Sequence, residues 1–465
     1  MVFSSIPFLY YFLPCALLLY FAAPRKLKNT VLLLTSMVFY GWGEPKFVFV
    51  MLLTVFQGYL FGILIEKSGG RRAGVYLAVS AAISLGMLGY CKYADFFIKN
   101  FNAVTGLSVP LLKVTLPIGI SFYTFQILSY IADVYRGSVP AQRNFINMAA
   151  YIAMFPQLIA GPIVRYADIS VQLNDRRHSF EKCALGIRRF ILGLGKKVLI
   201  ANALGELCSI FRESEDKSVL FFWLYAAACA LQIYFDFSGY SDMAIGLGRI
   251  FGFDFPENFN YPFISKSATE FWRRWHISLG SWFRDYVYIP LGGNRVKRFR
   301  WLCNLMIVWF LTGFWHGAEW NFIVWGLFFG VLLILEKLAL MKILEKTGIL
   351  RYIYIVPVVL LSFVLFDAAS LSEAWIYIKS MFGAGGLPIV SAEGLYYLKS
   401  YCGILIIAFL GATPLISAGI RKLREKKTFA KVLNIMEPVV LLLLMLVITG
   451  YIVDGSFNPF LYFRF

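Results

Sequence analysis

The chain has 465 residues, of which 59% are hydrophobic, 18% are aromatic and only 15% are charged. A soluble domain of this length cannot bury so many apolar side chains, and apolar segments long enough to cross a bilayer recur along the whole sequence. The net charge of +18 comes from basic residues that cluster in short loops between these segments. That distribution is typical of membrane topology signals rather than of nucleic-acid binding, so the composition predicts a polytopic membrane protein.

Hydropathy predicts an all-α membrane fold with about twelve crossings, contained in one membrane-embedded domain that spans residues 1–465. The basic loops alternate along this path, which predicts that they face the cytoplasm and that both termini, including the tail 454–465, are extracytoplasmic. The crossings are expected near residues 6–23, 30–42, 46–65, 73–90, 114–134, 184–206, 218–246, 301–316, 319–336, 352–367, 399–418 and 434–452.

Two regions do not fit simple crossings. Residues 145–162 are apolar but are followed by basic residues from Arg165 onward, which predicts a re-entrant segment that enters and leaves on the cytoplasmic side. Residues 256–300 mix aromatic and basic side chains, and such a segment cannot face lipid unless protein covers its backbone or it lines a cavity. We therefore expect the region 256–317 to contain the functional site.

The chain contains three histidines, and two of them, His276 and His316, lie in this region. His316 lies between two long apolar stretches, where a titratable side chain is costly and indicates function by default. The alternative is a core histidine that hydrogen-bonds to a neighbouring helix. Gly313 and Gly317 favour the functional interpretation because they leave room for another backbone or a ligand. The third histidine, His178, lies in a polar loop and is expected to be solvated.

Aromatic residues at helical spacing predict one helix from about Thr269 to Tyr286, with His276 at the edge of its aromatic stripe. An alternative interpretation is an interfacial helix on the cytoplasmic surface, in which His276 is structural. No G-x-S-x-G, H-E-x-x-H, P-loop or dinucleotide-binding motif occurs, and the seven cysteines form no C-x-x-C pair. A histidine general base is therefore the only candidate for catalysis, and no metal site is predicted.

Two motifs in this region are distinctive, FWRRWHISLGSWFRDYVYIPLGGN at 271–294 and GFWHG at 313–317. Further motifs are MVFSS at 1–5, LPIGISFYTFQ at 116–126, FPQLIAGPI at 155–163, YFDFSGYSD at 234–242 and NPFLYFRF at 458–465. Together they resemble the membrane-bound O-acyltransferase family, and specifically its alginate O-acetyltransferase branch. The resemblance extends over nearly the whole chain.

The resemblance implies a helical fold with a thinned centre, in the cytoplasmic (inner) membrane of a bacterium. There a cytoplasmic acyl thioester meets an acceptor that is presented from outside. His316 matches the catalytic histidine of the family and would deprotonate the acceptor hydroxyl. His276 matches a second, supporting position, and it would orient the donor, donate to the developing oxyanion or support the fold.

The resemblance also implies acetyl-CoA as the donor substrate and no bound cofactor. The donor phosphates would be attracted by a basic cytoplasmic surface that includes Arg165, Arg273, Arg274 and Arg284. The candidate substrate-binding residues are Arg273, Arg274, Trp275, Arg284, Asp285, Gln157 and Arg165.

The implied acceptor is an exported or cell-envelope polysaccharide, acylated with the help of a separate extracytoplasmic partner of the SGNH-hydrolase type. One alternative is D-alanyl transfer to teichoic acid, a branch that uses a small separate peptide ending in F-x-Y-x-x-F. A matching ending, Phe460–Phe465, is fused to this chain and favours the acetyl-transferring branch. An alternative from another class of protein is a proton-coupled transporter or flippase. The absence of an internal repeat that relates the two halves of the sequence argues against it.

The C-terminal ending also supplies a candidate acyl acceptor, Tyr462. Its phenol, deprotonated by His316, would form an aryl ester whose good leaving group passes the acyl unit to the partner. The alternative is that Tyr462 belongs to an aromatic belt that anchors the tail at the outer membrane interface.

Overall fold

The computed structural model describes residues 2–159 and 161–455, and every regular element in these ranges is helical. This confirms the predicted all-α class. In the first half of the chain the α-helices are α1 (Leu13–Ala22), α2 (Lys28–Gly43), α3 (Val48–Lys67), α4 (Gly70–Leu88), α5 (Ala94–Thr105), α6 (Ile120–Tyr135), α7 (Phe145–Ala153), α8 (Phe155–Leu158), α9 (Tyr166–Asn174), α10 (Phe180–Gly195), α11 (Asn202–Glu213) and α12 (Val219–Ile250).

The second half continues the helical pattern with shorter pieces around the predicted site. Its α-helices are α13 (Ala268–Arg274), α14 (Ile277–Phe283), α15 (Arg298–His316), α16 (Trp320–Leu335), α17 (Met341–Lys346), α18 (Arg351–Asp367), α19 (Leu371–Met381), α20 (Ala392–Ser400), α21 (Cys402–Gly411), α22 (Leu415–Arg424) and α23 (Lys427–Asp454). Wider, π-helical stretches adjoin some of these helices at Pro7–Phe12, Gly89–Tyr93, Lys196–Ala201, Arg284–Tyr288 and Glu336–Leu340.

Six helices among the described residues are long and apolar enough to cross a bilayer. A seventh is obtained if α20 and α21, which are bent by 56° relative to each other, count as one span. The six are Pro45–Lys67, Gly70–Thr105, Val219–Ile250, Trp320–Lys346, Gly348–Asp367 and Lys427–Asp454. These spans agree with a multi-pass membrane protein, whereas the number of crossings and their orientation stay predictions.

Two of the predicted crossings differ from the helices that form. The segment 114–134 is helical only from Ile120, because Pro117 and the left-handed Gly119, with φ of 77°, precede the helix. The segment 399–418 is interrupted between α20 and α21 and again between Gly411 and Leu415, where Pro414 lies at the start of α22. Proline lacks an amide hydrogen, so a helix rarely continues through it.

The first of two compact units contains the chain up to Phe190 together with Ser241–Pro256. In this unit α3 packs against α4 and α6, and α2 packs against α7. The helices α7 and α8 have nine and four residues. They are buried from Met148 to Leu158 and are too short to cross a bilayer, as the predicted re-entrant segment requires. Their approach from the cytoplasmic side stays a prediction.

The second unit contains Ile191–Tyr240 and the chain from Glu257 onward. Its interior holds charged groups that are paired within the protein. The Lys197 ammonium lies 2.7 Å from the Asp236 carboxylate, and each side chain is only 4% exposed. Such internal pairing is required because the hydrocarbon of a membrane offers no partner to a charge.

The helices α15 and α16 cross in close contact because glycines face the neighbouring backbone. A Cβ built on Gly313 would collide with the carbonyl oxygen of Phe322, and one built on Gly326 would collide with the carbonyl oxygen of Trp309. Small residues allow this approach in membrane proteins, where dispersion contacts and shape hold helices together. The crossing fixes the C-terminal end of α15, at His316, against α16.

We expect Gly326→Ala to lower the thermal unfolding temperature of the detergent-solubilised protein. The added methyl group must displace the α15 backbone, and overpacking of this kind typically costs about 1–3 kcal/mol. Gly450→Ala is the matched control, because Gly450 lies on α23 with nothing within 4 Å of a Cβ built there. Equal unfolding temperatures for the two variants would contradict the close crossing.

Candidate active site

The predicted helix from Thr269 to Tyr286 is wrong, because the chain breaks at His276. Helix α13 ends at Arg274, Trp275 is extended, and His276 has φ of 43° and ψ of 55°, a left-handed conformation. Helix α14 then begins at Ile277. A residue other than glycine rarely adopts this conformation, and where it does so the surrounding structure must enforce it, often at a functional site.

Backbone hydrogen bonds to the segment 258–260 hold this break in place. The Asn260 amide donates to the Arg274 carbonyl at 2.9 Å, and the Ile277 amide donates to the Asn258 carbonyl at 3.0 Å. These bonds satisfy groups at the end of α13 and at the start of α14 that a helix terminus leaves free. The left-handed His276 is therefore fixed from both sides.

The start of α13 is fixed by a buried carboxylate from another part of the chain. Glu336 is fully buried and accepts hydrogen bonds from the backbone amides of Ala268 at 2.6 Å and Thr269 at 2.8 Å. It also accepts from the Thr269 hydroxyl at 2.6 Å and the Tyr354 hydroxyl at 3.0 Å. A negative charge at a helix N-terminus is stabilising because it meets unpaired amides.

The imidazole of His276 has one nitrogen held and one nitrogen available. Nδ1 lies 3.1 Å from Asn258 Oδ1, an atom that also accepts from the backbone amide of Ser278 at 3.3 Å and from its hydroxyl at 2.9 Å. The Ser278 amide can only donate, so it fixes the orientation of the Asn258 side chain. His276 Nδ1–H must then be the donor, which leaves a lone pair at Nε2.

The environment of His276 favours the neutral ring. The side chain is 2% exposed, and Nε2 has no hydrogen-bond partner among the described residues. Burial, and to a lesser degree the repulsion that a charged His276 would meet from a charged His316, holds the pKa of His276 well below its ordinary value. At neutral pH the ring is therefore uncharged and Nε2 can accept a hydrogen bond.

His316 closes α15 and lies among aromatic rings. Its ring centroid is 5.2 Å from those of Trp325 and Phe366 and 5.0 Å from that of Trp315. The Trp315 ring also lies 6.1 Å from His276. Both predicted histidines thus pack against one indole, although they are 40 positions apart in sequence (316 − 276).

The space beside Gly313 and Gly317 is filled by protein. The Phe322 carbonyl approaches Gly313, and the Phe322 ring covers the position of a Cβ on Gly317. The sequence predicted that either another backbone or a ligand approaches these glycines, and in the structure it is the backbone of Phe322 that approaches Gly313. The glycines therefore serve the packing that positions His316.

A cavity of about 520 Å³ adjoins the break at His276 within the second unit. Its wall includes Trp272, Arg273, His276, Arg284 and Thr312. The Trp272 indole N–H has no partner among the described residues, and neither does the exposed Arg273 guanidinium. His316 lies one helical turn beyond Thr312 and outside the wall. The volume is within the range of roughly 300–1,000 Å³ that small-molecule sites occupy.

The other residues predicted from the 271–294 motif divide by their contacts. Arg284 lines the cavity and pairs with Asp285 at 2.7 Å. Arg274 is outside the cavity wall, where it pairs with Glu270 at 2.9 Å and donates to the Asn260 carbonyl at 3.1 Å. Trp275 is a core residue whose ring stacks on Phe271 at 5.5 Å.

The remaining predicted residues lie in the first unit or outside the described residues. Gln157 is buried, and its side-chain amide donates to the Tyr151 carbonyl at 2.5 Å. Arg165 precedes α9, where its backbone amide donates to the Asp168 carboxylate at 2.9 Å. Tyr462 lies outside the described residues. His178 is exposed as predicted, and its Nε2 also lies 3.0 Å from the Tyr20 hydroxyl.

Comparison with known proteins identifies the family of this chain. Residues 137–372 match the membrane-bound O-acyltransferase family. The chain is 43% identical to a probable alginate O-acetylase of Azotobacter vinelandii over 88% of this chain and 84% of that protein. It is 34% identical to a peptidoglycan O-acetyltransferase of Helicobacter pylori, over 86% and 83% of the two chains. A teichoic acid D-alanyltransferase of Bacillus subtilis is 33% identical over 46% of this chain and 58% of that protein.

The chain therefore belongs to the membrane-bound O-acyltransferase family, which confirms the resemblance of its motifs. It is an O-acyltransferase, and its relatives indicate a membrane O-acetyltransferase of the alginate or peptidoglycan type. The alternative of a proton-coupled transporter finds no support in these relatives.

We expect Asn258→Ala to lower the acyl-transfer rate roughly 10- to 100-fold, by analogy with the loss of partners that orient metal-bound histidines. The His276 ring would lose the acceptor that fixes its tautomer. The measurement is thioester turnover by purified protein, with the thermal unfolding temperature recorded in parallel.

Asn258→Asp is the informative control, because a carboxylate still accepts from Nδ1–H but raises the pKa of His276 by stabilising the charged ring. If turnover needs the neutral ring, this variant should lose activity at a higher pH than the wild type as the solution is acidified. A folded Asn258→Ala protein with full turnover would show that the orientation of His276 does not matter.

Proposed function

We propose that this protein moves an acetyl group from acetyl-CoA, on the cytoplasmic side of a bacterial inner membrane, towards an exported or cell-envelope polysaccharide. The observation that carries the proposal is the packing of His276 and His316 against the same indole, Trp315. Relatives named for alginate and peptidoglycan O-acetylation support a polysaccharide acceptor. D-alanyl transfer has less support, because that relative matches only 46% of this chain.

His316 is the proposed general base. The acceptor O–H gives its proton to the His316 imidazole while the oxygen forms a bond to the thioester carbonyl carbon. The C–S bond then breaks, and the leaving thiolate takes the proton from the imidazolium to leave as CoA thiol. The side chain of His316 is only 7% exposed, and exclusion of water limits hydrolysis of the thioester in this step.

His276 is proposed to accept a hydrogen bond from the donor. Because Nδ1–H is directed at Asn258, the neutral ring has no second N–H to offer an oxyanion. Of the roles that the family resemblance allows, orientation of the donor fits this arrangement best. The pantetheine arm of CoA carries amide N–H groups that suit an acceptor at Nε2.

The donor phosphates are proposed to meet Arg273 and Arg284, which line the cavity, rather than Arg274, which is paired with Glu270 outside it. Arg273 is the stronger candidate because its guanidinium has no carboxylate partner among the described residues. Gln157 and Arg165 remain candidates from the first unit.

We expect His316→Ala to lower acetyl transfer by roughly two to four orders of magnitude, the usual scale for loss of a general base. His316→Gln, which keeps more of the side-chain volume, should be impaired to a similar extent, while His276→Ala should be impaired less. The measurement is release of CoA from acetyl-CoA by purified protein, with the unfolding temperature as the control for folding. Near-normal release by a folded His316 variant would remove this residue from the mechanism.

The acetyl group is proposed to leave the enzyme through its C-terminal tail. The phenol of Tyr462 would be the first acceptor, with His316 taking its proton, and the resulting aryl ester would pass the acetyl group to a serine of a separate SGNH-type partner outside the cell membrane. The pattern Phe460–Phe465 supports this role. The proposal requires that the tail be extracytoplasmic, as the basic loops predict.

We expect Tyr462→Phe to abolish polysaccharide acetylation while the protein stays folded, because the ring remains and the nucleophile is lost. Tyr451→Phe is the matched control, since Tyr451 is an exposed tyrosine on α23 and should be dispensable. An acetyl mass should appear on the wild-type C-terminal peptide when the partner is absent. Survival of acetylation in Tyr462→Phe would leave only the anchoring role.

The position of the tail is tested separately, in a background without the seven native cysteines. A cysteine introduced at Ser456 should react with a membrane-impermeant reagent added from outside. Labelling only from the cytoplasm would exclude transfer through Tyr462, whatever the activity of the tyrosine variant.

A further inference from the structure

A second cavity, of about 720 Å³, lies within the first unit and contains none of the candidate active-site residues. It is formed by the loop before α2, the start of α7 and the loop between α9 and α10. Five Lys or Arg side chains and one histidine line it, and among the described residues Asp175 is the only carboxylate in its wall. The basic residues are Arg25, Lys26, Lys28, Arg176, Arg177 and His178.

Arg176 is the residue that distinguishes this cavity from an ordinary basic loop. Its guanidinium carbon lies 4.6 Å from the ring centroid of Phe253 and 5.6 Å from that of Tyr20. Nη2 donates to Asn29, whereas Nη1 is buried and has no partner among the described residues. No carboxylate of the described residues pairs with this half-buried cation.

A network of asparagines prepares the position of the guanidinium. The Asn29 side chain is 9% exposed, and its amide nitrogen donates to Asn147 at 2.7 Å and to the Leu173 carbonyl at 2.8 Å. These two bonds turn the Asn29 oxygen towards Arg176. The arginine is thus held in place without its charge being neutralised.

The cations of this cavity repel one another. Burial, and then the nearby charges of Arg176 and Arg25, lower the pKa of Lys28, whose ammonium donates to the Tyr20 carbonyl at 2.9 Å. Burial also lowers the pKa of His178, and Lys28 and Arg176 add to the effect. A bound anion would relieve this repulsion.

The role of basic residues in orienting a membrane protein explains only some of the cations in this cavity. Basic residues in cytoplasmic loops orient a membrane protein, but they do so from the exposed surface. Arg25 and Lys26 are exposed and fit that role, whereas Arg176 lies within cation–π distance of two rings and is fixed by a buried amide. Holding a cation in this way has a desolvation cost that orientation of the chain does not require.

We propose that this cavity is a binding site for a phosphate group. The guanidinium of Arg176 contacts the phosphate oxygens, and Lys28 and the exposed cations surround it. Two sources have this chemistry, the headgroup of an anionic phospholipid and a soluble phosphate compound. The proposal is independent of the acyl-transfer mechanism, because the cavity contains none of the residues assigned to it.

The test uses the full chain in nanodiscs. The soluble arm measures binding of radiolabelled inorganic phosphate in phosphatidylcholine nanodiscs, with CoA and dephospho-CoA, which lacks the 3′-phosphate, as competitors. The lipid arm measures the unfolding temperature in phosphatidylcholine nanodiscs with and without phosphatidylglycerol. We expect a response in one arm and at least about tenfold weaker binding, or loss of the lipid-dependent shift, in Arg176→Gln.

The controls separate a specific site from general positive charge. Arg72→Gln removes an exposed cation at the start of α4, outside the cavity wall, and should behave as the wild type. If Arg176→Gln fails to fold, the exposed pair Arg25→Gln with Lys26→Gln decides instead, with the same loss expected. A response confined to the soluble arm identifies a soluble phosphate, and one confined to the lipid arm identifies a headgroup. No response in either arm, or an unchanged response in the folded variants, overturns the proposal.

Discussion

The carboxylate of Glu336 holds the first turn of α13, and the geometry around His276 depends on this buried group. A helix of seven residues is too short to be stable by itself, and its first amides have no partner within the helix. In a membrane protein, water cannot be assumed to satisfy them. Glu336 accepts from two of these amides, while the segment 258–260 pairs with the other end of the helix. Fixed at both ends, α13 presents Trp272 and Arg273 to the cavity.

Contacts with Asn258 explain why His276 is held in a conformation that its local sequence does not favour. A left-handed residue is normally glycine or asparagine, and a histidine there must be compensated by neighbouring contacts. The bonds of Asn258 to Nδ1 of His276 and to Ser278 provide that compensation and select the tautomer at the same time. The orientation and the tautomer of the ring therefore follow from one side chain.

The sequence singles out His276 and His316, whose roles stay predictions, but it does not predict the residues that surround them. Trp272, Trp275 and Leu279 keep helical spacing across the break, so periodicity alone predicted one continuous helix. Asn258 carries no local signal, because its role arises only when an extended segment returns beside the break. The sequence also carries a signal for Glu336, which follows an apolar run of fourteen residues, 322–335, where a carboxylate is costly.

The fold, too, could be predicted only in part from the sequence. Long apolar stretches such as Pro45–Lys67 and Lys427–Asp454 are recognisable from the sequence because their length and hydropathy suffice. The start of α6 was not, because Pro117 and Gly119 delay the helix within an apolar stretch.

The positions of Lys and Arg in the sequence do not predict the surroundings of each charge in the structure. A count of Lys and Arg treats Arg176 and Arg177 alike, as neighbours in one basic loop. Their surroundings differ, because Arg177 is exposed whereas Arg176 lies near the rings of Tyr20 and Phe253 and donates to the buried Asn29 amide oxygen. A charge that only sets topology gains nothing from burial. Membrane orientation therefore does not explain why Arg176 is held half-buried without a carboxylate partner among the described residues.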